Sequence, residues 1–487
     1  MNFKSLVFLL GAFVLFATSC DDEGAMFDAP MVSAPSAVAN VEAGATGQSV
    51  VFTVSIDADL TASYQASGTG VTVANASGTV DGSSVTINYD AGTTAGAASI
   101  TLTVTDSEGQ SDEATAVINI GAEESTVLLT SNISENTTWT ADKTYILGGR
   151  ITVLDGVTLT IEPGTVIKGQ AGTGANATAL LVARGGMLMA EGTAELPIIF
   201  TSVADEITGE DVAAGNFGSP NLDSDVNGLW GGIIVLGKAP ISASNNNGDL
   251  SEVQIEGIPT SDANGLYGGN EPGDNSGVIR YISIRHGGTN IGAGNEINGL
   301  TLGGVGNGTT IEHVEVVANQ DDGVEWFGGT VNVSNVVVWN AGDDAIDTDQ
   351  SWAGTLDNFV VVTPTGHCFE LDGPEGSLEA GHTIQNGSII ASTADRVSED
   401  LINVDDNSIV ALKNLFFTGI MEGQKINRVT AAGVTFEGIE FDVDAATLAD
   451  YVNGAVPAGV TAGTSPKADV SVLGWTWAAQ AGGLDNL

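Results

Sequence analysis

Basic residues are scarce in this sequence: 13 Lys and Arg stand against 61 Asp and Glu, a formal charge of −48 over 487 residues. That imbalance excludes partners gripped through their phosphates, so neither nucleic acid nor an anionic lipid surface is held by bulk electrostatics. Cysteine is nearly absent. Only Cys20 and Cys368 occur, which excludes a disulfide framework and leaves packing, with metal as the other available means, to stabilise the fold. Histidine is rare, and His286, His313, His367 and His382 lie too far apart in the chain for a zinc motif. The apolar run Leu6 to Phe16 is too short for a committed membrane span. What is present is 42% hydrophobic residues and 65 Gly with few helix-favouring runs. This composition predicts a folded all-β chain of more than one unit.

The apolar run follows Lys4 and ends in Ala17, Thr18, Ser19 and Cys20, the pattern of an export signal. Ending on cysteine, residues 1–19 resemble a bacterial lipoprotein signal, which implies lipid on the Cys20 sulfur after cleavage. Asp21, Asp22 and Glu23 resemble the surface-export signal of Bacteroidota lipoproteins, which implies an outer-membrane lipoprotein exposed on the cell surface and held by membrane lipid through Cys20. A periplasmic export signal with a chance cysteine is the alternative. Residues 20–36, with Pro30 and Pro35, read as an acidic linker.

From 37 to 122, the runs SVVFTVSI, SVTINY, ASITLTVT and ATAVINI alternate apolar and polar between Gly, Asp and Ser turns. They predict an immunoglobulin-like β-sandwich. Its last hairpin resembles spacer modules of cadherin or PKD type. From 127 to 442 the strands repeat. Runs beginning at Tyr281, His313, Asn335, Asn358, Asn386 and Asn414 are separated by 32, 22, 23, 28 and 28 residues (313−281, 335−313, 358−335, 386−358, 414−386). A unit of 22 to 23 with loop insertions predicts a parallel β-helix, its turns stacked at roughly 4.8 Å. The column Asn335, Asn358, Asn386 and Asn414 predicts an internal ladder of amides. The stretch GRITVLDGVTLTIEPGTVIKG and the ALLVARGGMLMAEGTAELPIIFTS after it resemble the first rungs of pectate-lyase-like right-handed β-helices. Most of 127–442 is similar to an extracellular family of this kind common among Bacteroidota lipoproteins, which implies fold and location but no settled activity. Residues 443–487, with Trp475 and Trp477, are expected to cap the open end of the coil.

The chemistry concentrates in the coil. Val324 to Trp326, Ile346 to Thr348 and Phe369 to Leu371 align at steps of 22 and 23. Alternation then turns Glu325, Asp347 and Glu370 outward, one above another. Asp349 and Asp372 form a second column, and the preceding turns pair Asp321 with Asp343 and Asp322 with Asp344. No Lys or Arg occurs between His286 and Asp395. Two charges about 5 Å apart repel by roughly 3 kcal/mol at an effective dielectric near 20, so the stack is either solvated or neutralised. Calcium suits it, taking six to eight oxygens at about 2.3 to 2.6 Å. Trp326 belongs to the core, whereas Trp352, in a polar loop, either stacks on a sugar ring or packs over a rung.

Two functional classes remain. One is an adhesive or glycan-binding β-helix stabilised by calcium, its ligand a polysaccharide or a surface protein. The other is a carbohydrate-active enzyme. GDDAID loosely resembles the paired-Asp motif of polygalacturonase-type hydrolases, but the Gly-His-Gly and Arg-x-Lys segments of that family are missing, and TGHCFE offers only His367. A lyase needs a basic residue beside the carboxylates, and the nearest in sequence are Arg280 and Arg285.

Overall fold

The structure, a computed structural model, describes residues 27–35, 39–121, 125–291, 297–485 and 487. The expected signal at 1–19, Cys20 and the first part of the linker lie outside the described residues. The chain forms two compact units that divide between residues 123 and 124.

The first unit is a β-sandwich. Every second residue of Ser84–Ala91 is buried, the pattern of strands with one face on a core. One sheet orders Met31–Ser33, Gln48–Ser55, Ser84–Ala91 and Val71–Val73; the other orders Ala39–Glu42, Ser111–Gly121, Gly96–Asp106, Ala62–Thr69 and Ser77–Thr79. Phe52, Ile87, Ile100, Leu102 and Ile118 are fully buried in the core. The unit begins before residue 37. Met31–Ser33 pairs antiparallel with Gln48–Ser55 because Val32 fills the edge of that core, so the linker is shorter than expected.

The second unit is a parallel β-helix. One wall is an eight-stranded sheet that stacks β1 (Arg150–Val153), β2 (Ala179–Val182), β3 (Ile233–Leu236), β4 (Leu300–Gly303), β5 (Val324–Phe327), β6 (Ile346–Asp349), β7 (Phe369–Leu371) and β8 (Asn403–Val404). A sixteen-stranded sheet supplies the rest. Its long strands Gly277–Arg285, Thr310–Val317, Val333–Trp339, Thr355–Val362, His382–Ile390 and Ile409–Thr418 each bend once. At the bends stand Tyr281, His313, Asn335, Asn358, Asn386 and Asn414, with φ of 49°, 54°, 58°, 55°, 58° and 53°. The ladder skips these residues: Arg280 pairs with Glu312 and Ile282 with Val314, and so on down the coil.

Backbone conformation therefore explains the asparagine column. Asn is the side-chain-bearing residue that best tolerates the left-handed region. The expectation of an internal ladder is corrected, because Asn335, Asn358 and Asn386 are half-buried and Asn414 is exposed. It is also interrupted. Asn358 Nδ2 donates to Asn335 Oδ1 at 2.7 Å and Asn414 Nδ2 to Asn386 Oδ1 at 2.6 Å, but Asn386 Nδ2 turns to Asp357 Oδ1 at 2.6 Å. Inside the coil the stacking is apolar. Phe359, Phe369, Phe417 and Phe441 meet edge to face at 5.8, 5.9 and 5.2 Å between successive ring centroids, each pair contributing about 0.5 to 1.5 kcal/mol beyond its buried area.

Residues 463–487, with Trp475 and Trp477, do not form the expected lid, although earlier in the expected cap Val443, Leu448, Tyr451, Val452 and Val456 pack on the interior core. Val460–Ala462 pairs with Ile439–Phe441 and extends the coil, and the residues after it run back along the outside as a strap. Lys467 Nζ meets Glu440 Oε1 at 2.5 Å, Ala468 N donates to Ser388 Oγ at 3.0 Å, and Asp469 N donates to Asn358 Oδ1 at 2.7 Å. Leu473, Ala478 and Leu484 pack on Val337, Val360 and Val362. Trp477 packs on Val317 and Ala318, and Trp475 on Val166 and Ile199. Gln480 closes the run: its Nε2 donates to Gly215 O and its Oε1 accepts from Phe217 N, both at 2.9 Å. The physical reason is that outward Val337 and Val360 make an apolar face, and apolar area is covered rather than left wet.

Beneath the strap lies a buried ion pair. Arg285 Nη2 is 3.8 Å from Glu315 Oε2, both side chains fully buried. Trp477 lies over the guanidinium at 5.0 Å, and Ala478 N donates to Glu315 Oε1 at 2.8 Å.

Candidate functional site

β4 to β7 set the carboxylates by register. Thr301 pairs with Glu325, Glu325 with Asp347, Asp347 with Glu370 and Glu370 with Asn403. Val324, Trp326, Ile346, Phe369 and Leu371 face the interior, so this column faces out. A second column precedes the strands. Gly299 N donates to Asp322 O, Gly323 N to Asp344 O and Ala345 N to His367 O, which stacks Asn298, Asp322, Asp344 and His367 at steps of 24, 22 and 23 (322−298, 344−322, 367−344). Side chains lock this column: Asp322 Oδ1 accepts from Asp344 N at 2.9 Å, and Asp344 Oδ1 accepts from His367 N.

The face is outward but not solvated. Asp322, Glu325, Asp344 and Asp347 are 7, 5, 3 and 9% exposed; Asp321, Asp349, Glu370 and Asp372 are half-buried, and Asp343 is exposed. This corrects the picture of a hydrated acidic surface. An insertion after β3, about residues 237–275, packs Ile255, Ile258 and Tyr267 against Leu236 and Phe327. Arg150–Asp262 at 2.9 Å and Arg184–Glu252 at 2.6 Å pin it to the coil. Tyr267 Oη donates to Gln350 Oε1 at 2.9 Å, and Gln350 Nε2 to Glu375 Oε2 at 3.0 Å.

Burial governs the electrostatics. It pushes the Asp322, Glu325 and Asp347 carboxyls well above the usual range, and their carboxylate neighbours push the same way. Asp344 is raised to about 9 by burial and then by Glu370, and Asp349 to about 8 by burial and then by Asp372 and Glu375. Asp372, at the lower edge, reaches about 6, burial being partly offset by Arg428. Such a stack either holds protons or holds a cation.

The donor atoms converge in three trios: Asp321, Asp322 and Asp343; Asp322, Glu325 and Asp347; and Asp344, His367 and Glu370. Within each, they lie within 4.8 Å of one another. Asn298 Nδ2 donates to Glu325 Oε2. Asn403 Nδ2 donates to Glu370 Oε1 at 3.1 Å and to His367 Nε2 at 3.1 Å. Among the described residues, Asp347 Oδ1 and His367 Nδ1 are buried with no hydrogen-bond partner. The donor set, mostly carboxylate oxygens from adjacent rungs, fits a hard divalent cation.

Two sequence readings change here. Trp352 is not available to a sugar: it is fully buried, stacked on Trp326 at 4.6 Å, with Nε1 donating to Val331 O at 3.0 Å. Arg280 and Arg285, the nearest basic residues in sequence, pair elsewhere: Arg280 with Glu191 and Glu312 on the other sheet, and Arg285 with Glu315 under the strap. His367, set aside for want of a short motif, stands between two carboxylates. Its signal was the column step of 23 from Asp344, which a search for local spacing misses. Asn298, at the head of that column, was missed likewise.

The family described as "Pectate-lyase like beta helix domain" matches residues 131–456. No curated protein matches the chain. Among solved structures, a family 28 exopolygalacturonase of Yersinia enterocolitica is similar at 12% identity and TM-score 0.17, over 89% of this chain and 98% of that one. The catalytic unit of a GH87 alpha-1,3-glucanase of Streptomyces thermodiastaticus is similar at 11% identity and TM-score 0.20, over 86% and 91%. A C. elegans MSP family member covers 17% of this chain and 92% of its own, at 11% identity and TM-score 0.14. Likenesses this distant carry no argument about activity.

Proposed function

Because the chain belongs to the pectate-lyase-like β-helix family, we propose that its coil is a rigid platform whose carboxylate face binds divalent cations, calcium above all, and that it serves adhesion or glycan binding in this form. One observation carries the reading: Asp347 is nine-tenths buried and leaves Oδ1 without a partner, among Glu325, Asp349, Glu370 and Asp344. Oxygen donors on successive rungs suit calcium, whose coordination is wide and adaptable, better than magnesium, which demands a tight octahedron. Millimolar calcium should therefore raise the melting temperature of the mature protein, chelator should reverse the shift, and magnesium should do less. A melting curve indifferent to calcium and chelator would sink the cation site. Glycan-array binding with and without calcium tests the recognition role, with a polysaccharide or surface protein as the ligand sought.

We also propose that the protein is an outer-membrane lipoprotein, anchored through lipid on Cys20 and exposed on the cell surface. Incorporation of labelled fatty acid that is lost in Cys20→Ala tests the anchor, and protease accessibility on intact cells tests exposure.

A second reading, a carbohydrate-active enzyme, is favoured by one feature. Asp344, at about 9, and Asp349, at about 8, hold protons at neutral pH beside other carboxyls, which is what a general acid requires. Release of reducing ends from a polysaccharide panel, lost in Asp344→Asn, would support it; no release from any member would count against it.

A further inference from the structure

We infer that an uncharged site lies where the strap crosses the first bends of the coil, a pocket lined by Phe217, Tyr281, His313 and Trp475 that takes a ring of a neutral saccharide. This deepens the glycan-binding reading and rests on it, but it needs neither the carboxylate face nor a cation.

The pocket has a volume of about 390 Å³, within the range of about 300 to 1,000 Å³ usual for small-ligand sites. Tyr281 and His313, on adjacent rungs, stack with 4.2 Å between ring centroids and 14° between planes. Trp475, from the strap, meets Tyr281 edge-on at 5.5 Å and 72°. Phe217 follows the short helix Gly209–Ala213, and Ser471 and Val472 add an exposed rim.

Two independent observations point to a ligand. The first is conformational. The other four bends of this column hold Asn, the side-chain-bearing residue best suited to the left-handed region, whereas Tyr281 and His313 hold bulky rings at φ of 49° and 54°. Both are half-buried and stand outside the interior core of the coil. Strained rings kept at such a place mark a site that uses them. The second is charge. No Asp, Glu, Lys or Arg lines the pocket, in a chain with 61 acidic residues. Burial holds the His313 imidazole below its ordinary range, although Glu312 pulls the other way, so the ring is neutral at pH 7. The crevice at the far end of the strap, of about 620 Å³, is by contrast lined by Asp223, Asp225, Asp395 and Asp485.

The lining selects the ligand. Aromatic rings take the C–H face of a sugar, and Tyr281, His313 and Ser471 bring polar groups for its hydroxyls. A uronate or a sulfated sugar finds no cation in this lining, and a purely apolar ligand would leave those polar groups covered and unpaired.

The test is a calorimetric titration of the mature chain with neutral gluco-, galacto-, manno- and xylo-oligosaccharides, and with oligogalacturonate as a charged counter-probe, each in calcium and in chelator. At least one neutral oligomer should bind equally in both buffers, and oligogalacturonate should not bind in chelator. Tyr281→Asn and His313→Asn give these bends the residue that the next four rungs use, so both variants should melt close to the wild type yet weaken the neutral sugar at least ten-fold. Ser471→Trp, at the exposed rim, fills the pocket without touching the bends and should block binding even where a bend variant proves unstable. A wild type that binds no neutral oligomer, or binding unchanged in all three variants, would overturn the pocket. Glycan-array binding that depends on calcium and survives the three variants removes this pocket alone; an array with no bound glycan removes the recognition reading as well.

Discussion

The coil has two covered outer faces, and they are built from opposite materials. On the large sheet, outward Val337, Val360 and Val362 lie under the strap of Leu473, Ala478 and Leu484. On the small sheet, outward Glu325, Asp347 and Glu370 occupy neighbouring rungs beside the insertion after β3. The first face gains free energy by being covered; the second is burdened by it unless protons or a cation intervene. A face whose cover is energetically unfavourable is where function is to be sought.

Breaking the charge balance under the strap should have the largest effect. Glu315→Ala leaves Arg285 buried without its carboxylate and Ala478 N without its acceptor, so a loss of about 3 to 5 kcal/mol is expected, read by denaturant unfolding. The acidic face should respond to pH with the opposite logic. Asp344 and Asp349 have folded values of about 9 and about 8, above the unfolded value near about 4. The folded protein thus holds more protons across that window, and stability is present at low pH and lost as pH rises through the folded values. Melting in chelator at pH 5 and pH 8 should show the cation-free protein more stable at pH 5, and calcium should narrow that gap from the pH 8 side.

Asp347→Asn sharpens the same contrast. If calcium sits ten-fold to a hundred-fold above its dissociation constant, the wild type gains roughly 1.4 to 2.7 kcal/mol, and the variant should lose that gain while melting no lower than wild type in chelator. The smallest change belongs to neither face. Asn358→Gly keeps the left-handed bend but loses the bonds to Asn335 and Asp469, so about 1 kcal/mol is expected. A loss as large as that of Glu315→Ala would mean that the asparagine column supports more than its bends.

The rung repeat was legible because a solenoid writes its register into the chain: the steps of 22 and 23 that align Glu325, Asp347 and Glu370 are the pairings of β5, β6 and β7. The outward direction of those side chains followed from alternation. What covers them did not, because the insertion and the strap arrive from far along the chain. Trp352 stayed open between a sugar ring and a neighbouring rung for a related reason. Its neighbours in sequence are polar, but its neighbour in space is Trp326. The asparagine column was found by position and its amide bonds in part, but its place at the surface was not, since a bend with φ near 55° leaves no trace in spacing.

The strap also changes what kind of object the coil is. A stack of rungs that touch only their neighbours can shed its end units one by one, each at its own free energy. Here Gln480 holds Gly215 and Phe217, contacts spanning 265 and 263 residues, while Lys467 holds Glu440 near the last rungs. The ends of the stack are thereby coupled through one segment, and loss of a late rung loosens the grip on an early one. Synthesis feels the same coupling. Until residue 480 has emerged, Val337 and Val360 lie bare and Glu315 lacks the Ala478 amide, so the nascent coil passes through a stage with an open apolar flank and is sealed only at the end.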